Sequence, residues 1–246
     1  MEETQNLPQV NYAALPAVIG ATKLGLGHEK VEGINEIEIP RAKLVQFTSD
    51  EATATNPDDR VIPGTLINSI TRLPIGNIFV PIFKFTTFTQ WNPRKKDDPN
   101  YDPAFEPGEI VFQTSDPVDP RVRDGIKFGP NGEVPKVTRY MNYLSYFPGQ
   151  TMPLVLSFAK TSIVAGQRLN TLAISKGGNM WGNQFKVSVV QREGAEGKYF
   201  VLDVVDANAK ATDEQVAVGN LWFSMFYNKT LKVHEEEVKK EPEFTE

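Results

Sequence analysis

A chain of 246 residues with 40% apolar content can fill one large core, which excludes disorder of the whole molecule and leaves room for one large domain or two small ones. The absence of cysteine excludes disulfides, thiolate catalysis, iron–sulfur clusters and cysteine-based zinc sites, and two histidines, His28 and His234, leave no material for a histidine triad or a multi-histidine metal centre. The net charge of −5 is unevenly laid out: residues 121–198 hold eleven Lys or Arg against four Asp or Glu, whereas residues 1–120 hold ten against seventeen.

Residues 1–33 mix Pro8, Pro16, Gly20, Gly25, Gly27 and Gly33 with short apolar patches, and read as a flexible N-terminal arm. The start, Met1-Glu2-Glu3-Thr4-Gln5, is acidic and polar where a secretory signal needs a basic start, and no segment reaches roughly eighteen consecutive apolar residues. The expectation is a soluble, cytoplasmic protein with no membrane partner. Short alternation over 37–47 is followed by a polar loop at 49–64. Residues 78–91 then read as the first clear strand, with Phe83, Phe85, Thr87, Thr89 and Trp91 on one parity and Pro81 as a break or bulge in its first half.

The proline-rich connection 92–108 and the Pro- and Gly-rich loop 115–135 flank a short strand at 109–114, and loops of that length are expected to serve function or to be partly disordered. Strand alternation returns over 136–147, and 154–158 reads as a buried strand. Helical spacing over 161–173 places Val164, Ala165, Leu169, Leu172 and Ala173 near one face. Strands at 185–190 and 199–205 around Arg192–Gly197 predict a hairpin. Thr212 and Gln215 form a capping box opening a helix whose stripe is Val218, Leu221, Trp222, Met225 and Phe226. The fold class is mainly β with minor α, a Greek-key barrel of the oligonucleotide-binding type with long loops and a packed C-terminal helix. An α+β sandwich fits the same order. The domain organisation is an arm at 1–33, one core domain at 34–232 and a disordered acidic tail at 233–246.

Single-stranded nucleic acid is held by cations that follow phosphates and by flat rings on which bases stack, each worth about 1–3 kcal/mol. Trp91 runs into Arg94-Lys95-Lys96, Arg139 precedes Tyr140 with Tyr143 on the same strand, and Lys176 precedes a Gly-rich loop holding Trp181. Lys160, Arg168 and Lys186 add charge. These eleven residues, Tyr140 excepted, form the candidate nucleic-acid site. Phe83, Phe85, Tyr140 and Phe147 read as core; Trp181 is open between a stacking ring and a loop anchor, and Arg94–Lys96 between a phosphate contact and a turn countered by Asp97 and Asp98.

Acid pairs Asp50-Glu51, Asp58-Asp59 and Asp97-Asp98, with Asp116 and Asp119, could bind Mg²⁺ for phosphodiester cleavage, but all lie in loops where acids serve as turn formers. There is no P-loop, Gly25-Leu26-Gly27 lacks the third glycine of a dinucleotide fingerprint, and Gly-x-Ser-x-Gly is absent, so no catalytic residue and no cofactor is expected. The tail carries Glu235, Glu236, Glu237, Glu241 and Glu243 with Phe244, an acidic segment with one ring that a partner's pocket could take.

The stretches Ile110-Val-Phe-Gln-Thr-Ser-Asp-Pro117, Pro153-Leu-Val-Leu-Ser-Phe-Ala-Lys-Thr-Ser162 and Trp181-Gly-Asn-Gln-Phe-Lys-Val187 together resemble a family of bacteriophage single-stranded DNA-binding proteins of replication and recombination modules. The resemblance spans roughly residues 78–227. It implies an oligonucleotide-binding fold without catalysis, acting in the cytoplasm of an infected bacterium and recruiting phage or host replication or recombination proteins. RNA as ligand and a homo-oligomer are compatible with the same reading. Two other classes are a structural or assembly protein of a virion, with the arm clasping neighbouring subunits, and a metal-dependent nuclease.

Overall fold

The computed structural model describes residues 37–130, 132–194 and 197–227, with 229, 231 and 233. The expected arm at 1–33 and the tail residues 234–246 lie outside them. The described chain is mainly β: strands β1 (Ala42–Leu44) and β2 (Leu66–Asn68) form a two-stranded sheet, and β3 (Ile78–Trp91), β4 (Ile110–Thr114), β5 (Val137–Tyr146), β6 (Leu154–Ala159), β7 (Asn183–Gly194) and β8 (Gly197–Lys210) form the main sheet. Helix α1 (Pro120–Gly125) follows β4, α2 (Ile163–Lys176) joins β6 to β7, and α3 (Asp213–Phe226) follows β8.

Every ladder in the main sheet is antiparallel, in the order β6-β5-β3-β7-β8, with β4 pairing the upper end of β3. Pro81 sits where the register with β5 shifts, between Pro81 and Phe83, because proline brings no N–H to a ladder. Below the shift, Ile78 and Phe79 pair with Lys186 and Phe185 of β7; above it, Phe88 to Trp91 pair with β4.

Ends β6 and β8 are not joined by a ladder among the described residues, so the barrel expected from the sequence is open on that side. Several outward groups of β8 are bonded within the chain. The Gln46 side chain both donates to Phe200 O (2.9 Å) and accepts from Phe200 N (2.8 Å); Ser162 Oγ accepts from Leu202 N, Asp203 Oδ1 from Val204 N and Asp206 Oδ1 from Asn208 N. On the β6 side, Val155 N donates to Pro40 O at 2.9 Å. An edge so occupied has few donors left for another strand.

One face of the sheet carries Phe79, Met141, Tyr143, Leu156, Phe158, Phe185, Val187, Leu202 and Val204 into a single core closed by Ala165, Leu169 and Ala173 of α2. Val164, expected on that helical stripe, is exposed. Gly166 lets the helix approach closely, since a Cβ there would meet Phe158 Cβ at 3.0 Å, and the Tyr143 hydroxyl donates to Gly166 O at 2.8 Å. The opposite face receives α3, whose Phe226 packs with Val80, Ile82, Leu144, Val155 and Trp181. The capping box forms as the sequence predicts: Thr212 Oγ1 accepts from Gln215 N and Gln215 Oε1 accepts from Thr212 N, while Gln184 Nε2 ties the same Oε1 to β7.

One side chain makes four of the hydrogen bonds that order the 92–108 connection. Buried Asn92 donates from Nδ2 to the carbonyls of Asp102, Phe105 and Glu106 (2.9, 2.8 and 3.2 Å) and accepts at Oδ1 from Asp102 N (2.8 Å). Polar satisfaction of this kind replaces an apolar core for a loop too proline-rich to form a ladder.

Gly219 of α3 faces the Trp181 indole, and a Cβ there would lie 2.5 Å from Trp181 Cγ. In an isolated helix Gly→Ala stabilises by about 1 kcal/mol; here overpacking of about 1–3 kcal/mol opposes it. Gly219→Ala is therefore expected to lower the urea midpoint, and an increase would show that α3 shifts freely on Trp181.

Candidate nucleic-acid interface

Strand parity and register assemble the site. Thr87 lies opposite Tyr140, which lies opposite Ala159; Phe85 lies opposite Asn142, which lies opposite Ser157. Residues in register share a face, so Thr87, Thr89 and Trp91 of β3 stand with Tyr140, Asn142 and Ser157 on the face that α3 covers lower down. Half-buried Trp91 donates its indole N–H to the Tyr140 hydroxyl at 3.0 Å. Beside them runs a polar chain: Arg41 Nη1 donates to Ser157 Oγ (3.1 Å), Ser157 Oγ to Asn142 Oδ1 (2.7 Å) and Asn142 Nδ2 to Thr87 Oγ1 (2.9 Å), and Gln113 Nε2 donates to Thr89 Oγ1 (3.1 Å). The result is a row of small polar side chains ending in two rings, with Phe85 and Phe83 leading down to α3.

Arg94, Lys95 and Lys96 follow directly. They are exposed and form no ion pair among the described residues, and Asp98 Oδ1 accepts instead from Asn100 N. Lys160 is exposed and comes one residue after Ala159, the register partner of Tyr140.

Other residues of the expected site are placed elsewhere. Tyr143 is fully buried on the opposite face, its hydroxyl bonded to α2, and burial pushes its pKa up to about 12; it is a core residue. Trp181 is also buried, not an exposed stacking ring: its Nε1 donates to Asn220 Oδ1 (3.1 Å) and its ring lies 4.7 Å from that of Phe223. The loop before it is Gly-rich because Gly177 and Gly178 take positive φ as the chain leaves α2, which frees no ring for a ligand. Arg139 is exposed but lies opposite Phe88, on the face away from Tyr140. Arg168 is ion-paired with Asp203, and Lys176 with Asp206 at 2.6 Å, where the ammonium hydrogen bond holds the Asp206 carboxyl below its ordinary pKa. Lys186 is exposed opposite Ile78, at the far end of β3 from Trp91, roughly 40 Å along the strand at about 3.3 Å per residue.

Sequence reasoning missed Asn142, whose parity signal is lost once both faces of β5 carry aromatics, and Ser157, Gln113 and Arg41, which reach it or its neighbours from other segments. It also missed two exposed rings, Tyr227, stacked on Phe223 at 4.4 Å, and Phe128, which follows Lys127 in the loop after α1. Among the acids considered for metal chemistry, Glu51 accepts Lys43 Nζ on both oxygens (2.9 Å each), Asp116 accepts from Val118 N in a turn, and Asp119 caps α1 while the hydrogen bond from Arg121 lowers its pKa. No group of three potential metal ligands occurs among the described residues. No described helix is long and apolar enough to cross a membrane.

A family model described as Pam3 phage gp34-like protein matches residues 8–239. The chain belongs to this family of phage proteins. No curated protein and no solved structure matches it. The phage character of the gp34-like chain agrees with the resemblance drawn from its sequence.

Tyr143 gives the gp34-like fold a pH dependence. The unfolded tyrosine ionises near its ordinary 10, whereas the folded one keeps its proton to about 12, so its contribution is full below pH 10 and is lost as the pH rises toward 12. Tyr143→Phe should cost about 0.5–1.5 kcal/mol at neutral pH for the lost hydrogen bond. The stability gap between wild type and variant in urea melts should narrow above pH 10; a constant gap would place the hydroxyl in contact with water.

Proposed function

We propose that this phage protein binds single-stranded DNA without catalysis and with little sequence preference, in DNA replication or recombination. The observation that carries the reading is the Trp91–Tyr140 pair at the end of a polar sheet face, with the unneutralised Arg94–Lys96 triplet next in the chain. Rings accept any base, and cations follow the phosphates, so the pair of features favours affinity without base readout.

The fold reading that goes with it is an oligonucleotide-binding barrel, a five-stranded and partly open Greek-key form that binds on the face of its second and third strands. It is supported by the path β6-β5-β3-β7-β8, open between β6 and β8, in which β5 and β6 are second and third after β3. Tyr140, Asn142 and Ser157 lie on those two strands. The acidic tail, with Glu235, Glu236, Glu237, Glu241, Glu243 and Phe244, would recruit phage or host partner proteins in the cytoplasm of the infected cell.

Anisotropy of a labelled oligothymidine of about thirty nucleotides, a length that spans several typical sites, tests the reading. Tight, salt-sensitive binding with duplex much weaker is expected, and no binding to either at low salt would overturn it; an equal-length RNA bound more tightly would reassign the ligand. Replacing Arg94, Lys95 and Lys96 together by Ala should flatten the log–log salt slope by about 2, three contacts at about 0.7 each. Trp91→Ala should weaken binding by about 1–3 kcal/mol.

A virion assembly role is the second reading. Light scattering without DNA separates the two, since large rings or shells would speak for assembly.

A further inference from the structure

Three described non-glycine residues hold a positive φ: Arg72 (59°), Lys160 (47°) and Asn208 (54°). All three take part in local hydrogen bonds. Asn208 is of a type that tolerates this region and its N–H is held by Asp206 Oδ1, while Arg72 closes a turn by donating from N to Asn68 O at 2.8 Å. Lys160 O accepts from Ile163 N in the turn that leads to α2, a bond that glycine would make as well, and the lysine side chain takes no part in it. Lys160 is the first residue of the turn (Lys160–Ser162) between β6 and α2, a position that glycine would occupy without strain, and its side chain is exposed and forms no ion pair among the described residues.

Its place in the sheet differs from that of the neighbouring cations. Arg168 and Lys176 on the following helix are held by Asp203 and Asp206. Lys160 instead comes immediately after Ala159, whose small side chain lies opposite Tyr140, one strand spacing of about 4.8 Å away. Tyr140 in turn holds Trp91. A lysine kept in a conformation unfavourable to it, at the end of the ring-bearing row, points from strain to function.

We propose that Lys160 is a phosphate-contacting residue, held in the left-handed region so that its ammonium serves a strand stacked on Trp91 and Tyr140. This rests on the single-stranded DNA reading and deepens it by assigning a residue at which folding and binding pull in opposite directions.

The test combines urea unfolding with oligothymidine anisotropy at several salt concentrations for wild type, Lys160→Gly, Lys160→Asn and Lys160→Arg. The glycine variant should have a higher urea midpoint, several-fold weaker binding and a log–log salt slope smaller by about 0.7. The asparagine variant tolerates the same φ without the charge and should show the same binding loss, and the arginine variant should keep wild-type affinity. Wild-type affinity and slope in both uncharged variants, alongside a wild type that binds, would overturn this inference and leave the proposed function standing. A lower midpoint in the glycine variant would overturn the strain argument. A wild type that does not bind oligothymidine would remove the proposed function and the role of Lys160 with it.

Discussion

Strand β3 is the constraint on which the rest of the fold depends. It pairs with β5 along most of its length and on its other side with two different partners, β7 at Ile78–Phe79 and β4 at Phe88–Trp91. That exchange of partners requires a change of register and direction, and Pro81, which cannot donate to a ladder, sits where the register with β5 shifts. The lower end of β3 is thereby committed to the core around Phe79, Phe147 and Phe185, whose rings lie within 6.1 Å of Phe79. The upper end, beyond Phe85, is left to carry Thr87, Thr89 and Trp91 in a polar setting. Core and candidate interface are two halves of one strand.

The position of α3 bounds that interface. Its apolar side covers Val80, Ile82 and Leu144, and its aromatic end, Phe223 and Tyr227, meets Phe83 at 6.2 and 6.3 Å. The Trp181 indole fixes where the helix can lie, because Gly219 is the point of closest approach and Asn220 takes the indole N–H. A helix seated in this way occupies the lower part of the face and confines any nucleic acid to the Trp91 and Tyr140 end. The same packing explains why a tryptophan in a Gly-rich loop is structural: its partner is a glycine 38 residues later, the one residue type that leaves room for an indole against a helix backbone.

Periodicity was readable wherever a single face decided the outcome. The parity of Phe83 to Trp91, the β7–β8 hairpin and the capping box at Thr212 each follow from contacts within a few residues, and all three are present. What was not legible depends on contacts distant in sequence or on polar satisfaction. Strand β2 is three residues long and too short for alternation to register. The loop after Trp91 is gathered around Asn92, and an asparagine in a proline-rich segment carries no periodic signal. Tyr143 and Tyr140 lie on opposite faces of β5, and with aromatics on both parities only the register with β3 tells them apart.

Charge counted along the sequence misjudged the surface for a related reason. The excess of basic residues in 121–198 is partly cancelled by acids just outside that window: Asp119 holds Arg121, Asp203 holds Arg168 and Asp206 holds Lys176. Such pairing removes the cation from long-range attraction even where it adds little stability at an exposed site. The triplet Arg94–Lys96, inside the half of the chain with the acidic balance, is exposed and forms no ion pair among the described residues, although Asp97 and Asp98 follow it in the chain. Local field therefore depends on which carboxylates the fold leaves idle, and the net charge of a segment says little about where a phosphate would be drawn. The candidate interface takes its cations from both segments, Lys160 from the basic one and Arg94–Lys96 from the acidic one, joined only by the pairing of β3, β5 and β6.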